Sequence, residues 1–120
     1  MGTMLYERGI FLNRSFEEVC LSDPRMVVAI HREYLEAGAE VLTTNSWGAG
    51  IPKLRAAGLV EKFAPINECA VSLARQAIDA AGRGGLAYVA GSIGPLGARI
   101  EPIGPLPVSE AEGYFARQAK

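Results

Sequence analysis

A chain of 120 residues is enough for one domain and too short for two. It is 49% hydrophobic and 21% charged, ordinary for a globular protein. Its net charge of −1 argues against a dedicated binder of nucleic acid or anionic membranes, which would carry a basic excess.

The elements are predicted in chain order. "MGTMLYERG" lacks the positive-then-apolar order of a signal peptide, and no later stretch has the roughly 18–20 apolar residues of a membrane helix, so a cytoplasmic protein is expected. In "RSFEEVC", Ser15 and Glu18 stand at capping-box spacing and predict a short helix over 16–21. "SDPRMVVAIHREYLEAGAE" predicts a longer one. Asp23 can cap it, Pro24 suits its first turn, Gly38 can stop it, and Met26, Val27, Ile30, Tyr34 and Leu35 form an apolar stripe. His31 lies on that stripe and reads as a core histidine, not a base or ligand.

A strand over 40–44 follows, centred on Val41 and Leu42. "GAGIPKLRAAGL" predicts a glycine-rich loop and a short helix ended by Gly58. The next helix covers 65–81, with Ile66, Ala70, Leu73, Ala74, Ala77 and Ala81 on one face and Glu68, Arg75 and Asp79 off it. "LAYVAG", 86–91, is a continuous apolar run of the kind shown by parallel strands buried on both faces. A Gly/Pro-rich loop over 92–107 leads to a helix capped by Ser109 and Glu112, which reads as cut off at Lys120. Two strands close neither a barrel nor a doubly wound sheet, so a piece of a larger domain is expected.

"GAEVLTTNSWGA" places Thr43, Thr44, Asn45, Ser46 and the only tryptophan where an apolar strand stops. In parallel α/β folds ligands bind at the carboxyl ends of strands. The plainer alternatives are a routine strand-to-loop turn for the Thr and Asn residues and a core anchor for Trp47. Cys20 and Cys69, far apart and outside any CxxC, read as two buried thiols. Glu17, Glu18, Glu110 and Glu112 read as solvated first-turn acids. "GSIGPLG" opens no helix and has no GK[ST], so it is not a phosphate loop.

"MGTMLYERG", "DPRMVVAIHREYLEAGAEVLTTNSWGA", "INECAVSLARQA" and "AGSIGPLG", in this order, resemble the homocysteine S-methyltransferase domains. These are zinc-dependent (β/α)8-barrel enzymes that methylate homocysteine to methionine. "LYERGI…SFEEVCLSDP" most resembles the form that some bacteria fuse to a methylenetetrahydrofolate reductase module. The resemblance implies an α/β chain that is the N-terminal part of a TIM barrel, incomplete here, with residues 1–120 supplying about the first three βα units. It implies substrate-binding positions at Met1, Gly2 and Thr3 in the loop after the first strand, at Thr44, Asn45 and Trp47 after the second, and at Ser92 and Gly94 after the third. The ligands implied are homocysteine and a methyl donor.

The resemblance also implies zinc in the complete parent, held by one cysteine of the later barrel and a Cys-Cys pair near its end. Neither Cys20 nor Cys69 matches these, so no metal ligand or catalytic residue is assigned here. No cofactor is expected on this chain alone, which is expected to be inactive. Its expected partners are the remainder of the barrel or a fused reductase module. The alternative is a catalytically inactive barrel remnant acting through association with a partner. A nucleotide-binding α/β domain would need a Gly-rich turn between a first strand and its helix, and only Met1 and Gly2 offer one.

Overall fold

A computed structural model describes residues 1–11 and 13–120 of the chain. The elements are α1 (Gly2–Glu7), α2 (Val19–Ser22), α3 (Pro24–Glu36), β1 (Val41–Thr43), α4 (Ile51–Ala56), α5 (Phe63–Ala80), β2 (Tyr88–Ala90) and α6 (Val108–Ala119), with a 3-10 turn at Val60–Lys62 leading into α5. β1 and β2 are parallel, in register Val41 to Tyr88, Leu42 to Val89 and Thr43 to Ala90. α4 and α5 make the crossover between them, so the architecture is mixed α/β.

α3 is built as its sequence directs. Asp23 accepts the Met26 N–H at 3.1 Å, Pro24 occupies the first turn, and Gly38 ends the helix at φ 99°, a conformation that disfavours any Cβ. Its buried face is Val27, Ile30, His31 and Leu35, whereas Tyr34 of the expected stripe is 44% exposed. α5 buries Ile66, Ala70, Leu73, Ala74, Ala77 and Ile78, and Ala81 lies past its end in solvent.

These helix faces make most of the interior. One cluster joins Leu5, Val19, Cys20, Val27, Ile30, Ala70 and Leu73 from α1, α2, α3 and α5 with Ile10 from the segment after α1. A second joins Leu35, Leu42, Ala74, Ala77 and Ile78, with Ala87 and Val89 against it, and docks the sheet onto α3 and α5. A third holds α4 to α5 through Ala49, Leu54 and Ile66. Each fully buried Leu or Ile contributes about 1.5–3 kcal/mol. Arg83, in the turn after α5, ties that turn back to α3 by donating to the Leu35 carbonyl at 3.2 Å.

Five expectations change. The segment read as a loop at Met1, Gly2 and Thr3 is the start of α1, where Leu5 N–H bonds to the Met1 carbonyl at 3.0 Å. The helix expected over 16–21 begins only at Val19. Ser15 Oγ does accept the Glu18 N–H, at 3.4 Å, but the Glu18 carboxylate pairs with Arg14 and Lys62 and leaves the capping box half made.

The strand expected over 86–91 shortens to Tyr88–Ala90, and it is not buried on both faces. Leu42 and Val89 face α3 and α5, while Val41 and Tyr88 on the other face are 53% and 68% exposed. The cause is that helices cover only one side of this two-stranded sheet. Ser109 does not cap α6, which starts at Val108 after an extended Pro107. The carboxylate of Glu101 accepts the Val108 N–H at 3.0 Å and does the capping instead. The fifth change concerns Glu17, whose carboxylate is turned inward, as described below.

Candidate functional site

Both strands end on the same side of the sheet, at Thr43 and Ala90, and the residues that follow are stitched together by hydroxyl groups. Ser92 N–H donates to Thr44 Oγ1 at 2.9 Å, Ser46 Oγ donates to the Ser92 carbonyl at 2.8 Å, and the Thr44 and Ser46 hydroxyls lie 2.6 Å apart. A hydroxyl has one proton. Ser46 has committed its proton to Ser92, so Thr44 must donate to Ser46, and every proton of the ring is used. The Ser92 side chain is outside this ring: its Oγ takes no hydrogen bond among the described residues.

Around these strand ends runs a rim joining distant parts of the sequence. The Phe16 ring lies over Gly2, where an added Cβ would touch it at 3.4 Å. The Phe16 carbonyl accepts from Asn45 Nδ2 at 2.7 Å, and the same amide approaches Cys20 Sγ at 3.5 Å. Glu17 accepts the Gly48 N–H at 2.7 Å, so it is not the solvated acid its helix-start position suggested. Trp47, 57% exposed, stands against buried Gly94. A Cβ on Gly94 would fall 2.9 Å from two indole carbons, so only glycine permits this approach.

The expected site residues therefore separate. Thr44 and Ser92 meet directly, and Trp47 meets Gly94. Asn45 is buried and turned toward Phe16 and Cys20. Met1 packs on the α1–α3 core, Gly2 touches the rim through Phe16, and Thr3 is exposed on α1. Phe16, Glu17 and Ser46 belong to the assembly without having been singled out for the substrate. Ser46 was legible from its place after the strand, whereas nothing local marks Phe16 or Glu17.

A cavity of about 1160 Å³ abuts the strand ends at Thr44, Ser46 and Ser92. Its other walls are the polar flank of α5, with Glu68, Arg75 and Asp79, and the end of α6 from Arg117. Gln118 of α6 closes one side by donating to the Ser46 carbonyl at 2.9 Å and Asn67 Oδ1 at 3.2 Å. Trp47, Gly94 and Asn45 are not on its lining. The strand-end rim, not the larger space beside α5, is the better-defined site, because it is there that the close backbone approaches and shared hydrogen bonds converge.

The titratable groups nearby do not supply acid–base or metal chemistry. Of the two thiols expected to be buried, only Cys20 is: Cys69 is half-buried on α5, next to solvent. Burial pushes the Cys20 thiol up to about 12, and partial burial also raises Cys69, whose Sγ donates to the Cys20 carbonyl at 3.1 Å. A cysteine binds zinc as its thiolate, and these two environments disfavour the thiolate. Among the described residues no three His, Cys, Asp or Glu side chains form a group of metal donors. The residues present therefore do not fit zinc. His31, 2% exposed, is lowered to about 4, chiefly by burial and secondly by the Met1 ammonium. Its Nε2 has no partner among the described residues. It sits within the helix packing, in keeping with a core histidine.

A parallel α/β unit with a polar rim at its strand ends defines the class of protein. The family model for homocysteine S-methyltransferase matches residues 1–120, and the chain belongs to that family. It is 40% identical over 60 residues to homocysteine S-methyltransferase 1 of Brassica oleracea var. italica, covering 49% of this chain and 18% of that protein. It is 30% identical over 82 residues to the methionine synthase of Mycobacterium tuberculosis, covering 68% of this chain and 7% of that one.

Among solved structures it matches the homocysteine methyltransferase MmuM from Escherichia coli in its metallated form, with a TM-score of 0.70 and 33% identity, over 79% of this chain and 35% of that one. The chain thus spans between about a fourteenth and a third of the length of these relatives. Among the described residues no helix is long and apolar enough to cross a membrane.

Proposed function

We propose that residues 1–120 are the N-terminal portion, about three βα units, of a (β/α)8 barrel that transfers a methyl group to the thiol of homocysteine, giving methionine. The observation that carries this reading is the family match along the whole chain. The open sheet face of Val41, Thr43, Tyr88 and Ala90 supports it, since this is the face that further barrel strands would enclose. In the parent, zinc held by residues outside this chain would bind the homocysteine sulfur and favour its thiolate.

The residues present here do the binding and the exclusion of water. Ser92 Oγ, the hydroxyl left outside the ring, contacts the polar amino-acid end of homocysteine. Trp47 and Gly94 form an apolar wall against which the thioalkyl chain lies. Thr44 and Ser46 hold the two strand ends at a fixed spacing, and Asn45 anchors the first of them to the segment before α2. Gly2 reaches the rim through the Phe16 ring, and we place the Met1, Gly2 and Thr3 segment beside the same pocket. The methyl donor, whether sulfonium, betaine or folate-type, is chosen by other residues, or by a reductase module where one is fused. The two unpaired thiols suit a cytoplasmic parent.

The test is methyl transfer to homocysteine by the complete parent, with each donor class in turn. Ser92→Ala is expected to raise the homocysteine KM about tenfold with little change in kcat, as removal of one binding hydrogen bond does. A parent that neither binds homocysteine nor turns over with any donor would favour the inactive remnant instead.

A further inference from the structure

We propose that Glu17 is a positioning residue of the homocysteine site, fixing Trp47 by holding the backbone of the residue after it. The inference rests on the homocysteine reading for its functional consequence, and on geometry alone for the clamp.

Glu17 and Glu18 are neighbours with opposite roles. Glu18 pairs outward with Arg14 and Lys62. Glu17 is half-buried and has no basic partner among the described residues. One of its oxygens accepts the Gly48 N–H at 2.7 Å and the other accepts from Ser15 Oγ at 2.9 Å. A carboxylate accepting from a backbone N–H is among the stronger protein hydrogen bonds. The carboxylate fills the space a side chain at residue 48 would take: an added Cβ would lie 2.6 Å from Oε1 and 2.9 Å from Cδ, so the carboxylate would have to swing away.

Trp47 depends on such backbone restraint. Its indole is mostly exposed, and no hydrogen bond of its side chain is found among the described residues. The loop around it is held at Asn45 by Phe16, at the Ser46 carbonyl by Gln118, and at the Ala49 carbonyl by Asn67. Trp47 and Gly48 lie inside the turn closed by the Ala49 N–H donating to the Ser46 carbonyl at 3.0 Å, and Glu17 is the group that bonds the Gly48 backbone itself among the described hydrogen bonds. Gly94 fixes how close the indole comes, and Glu17 fixes where it stands.

Trp47 is the only tryptophan in the chain, so its fluorescence reports the rim directly. Four variants of the 120-residue chain decide the clamp: Glu17→Ala, Glu17→Gln, Gly48→Ala, and Glu17→Ala with Gly48→Ala. Glu17→Ala and Gly48→Ala should each raise acrylamide quenching of Trp47 by about 1.5-fold or more, by freeing the same contact from opposite sides, and the double variant should add nothing further. Glu17→Gln retains an acceptor and should stay near the unaltered chain. Should Glu17→Ala fail to fold, Gly48→Ala makes the same displacement.

In the complete parent, Glu17→Ala should raise the homocysteine KM about tenfold while kcat changes less than about twofold, with Glu17→Gln restoring most of it. Unchanged quenching in both single variants, or additive effects in the double, would overturn the clamp. Changed quenching with an unchanged KM in an active parent would overturn the positioning role. A parent with no homocysteine activity at all counts against the functional reading above and leaves the fluorescence result to decide the clamp by itself.

Discussion

Acidification should weaken this fold through His31 before most carboxylates titrate. The imidazole is 2% exposed and its pKa is lowered from 6.5 to about 4, first by burial and then by the charge of the Met1 ammonium. A folded-state pKa below the unfolded one means that the unfolded chain takes up the proton first. Stability is therefore complete above about pH 6.5, falls as pH drops toward 4, and levels off below that. The full shift corresponds to about 3 kcal/mol at 1.36 kcal/mol per unit. Between pH 7.5 and 5.0 alone the loss should be about 2 kcal/mol, a large share of the stability of a chain this size.

Urea unfolding at intervals across that window, followed by circular dichroism and Trp47 emission, gives the slope. His31→Leu is the control. It removes the titrating ring and the partnerless Nε2 together, so stability at pH 7.5 should be close to unchanged, and the loss on going to pH 5.0 should shrink to a few tenths of a kcal/mol. An equal loss in His31→Leu would place the acid sensitivity elsewhere. A cost above about 3 kcal/mol at pH 7.5 would mean that the imidazole makes a bond the packing does not reveal.

Two further outcomes follow from the same geometry. Thr44→Val keeps the shape but breaks the hydroxyl ring and strands the Ser92 N–H, and should cost about 1–3 kcal/mol in urea unfolding, whereas Thr43→Val on the open face should stay within about 0.5 kcal/mol. With a thiol reagent at pH 8, Cys69 should react before Cys20, which is held protonated near 12 and buried, and Cys20 should be labelled only at the rate of unfolding.

The long helices α3 and α5 were legible because their signals are local, whereas α1 was read as a loop and α2 as starting three residues early. Asp23, Pro24 and Gly38 bound α3, and the apolar spacing of α5 named five of its six buried residues. The errors arose where a distant group supplied what a local one was expected to. Glu101 caps α6 from seven residues away, so Ser109 is left as an ordinary helical residue. The Leu86-to-Gly91 run is apolar enough for a strand buried twice over, but only α3 and α5 lie against it here. Apolar composition records which faces can be buried, and only the neighbouring elements decide which of them are.

The site shows the same division more sharply. Thr44, Trp47, Ser92 and Gly94 announce themselves by standing at the ends of apolar strands, and the structure joins them in two pairs. Glu17 and Phe16 do not, because their partners are Gly48, 31 residues on, and Asn45, 29 residues on. A glutamate near a helix start carries the same local pattern whether it faces water or a backbone N–H. The distinguishing mark was instead at the other end of the contact. Gly48 follows the tryptophan without a positive φ to require glycine, and the space beside its Cα is filled by the Glu17 carboxylate. At Gly48 and Gly94, neither with a positive φ, another group does come near, the Glu17 carboxylate at one and Trp47 itself at the other, and both approaches bear on where Trp47 stands.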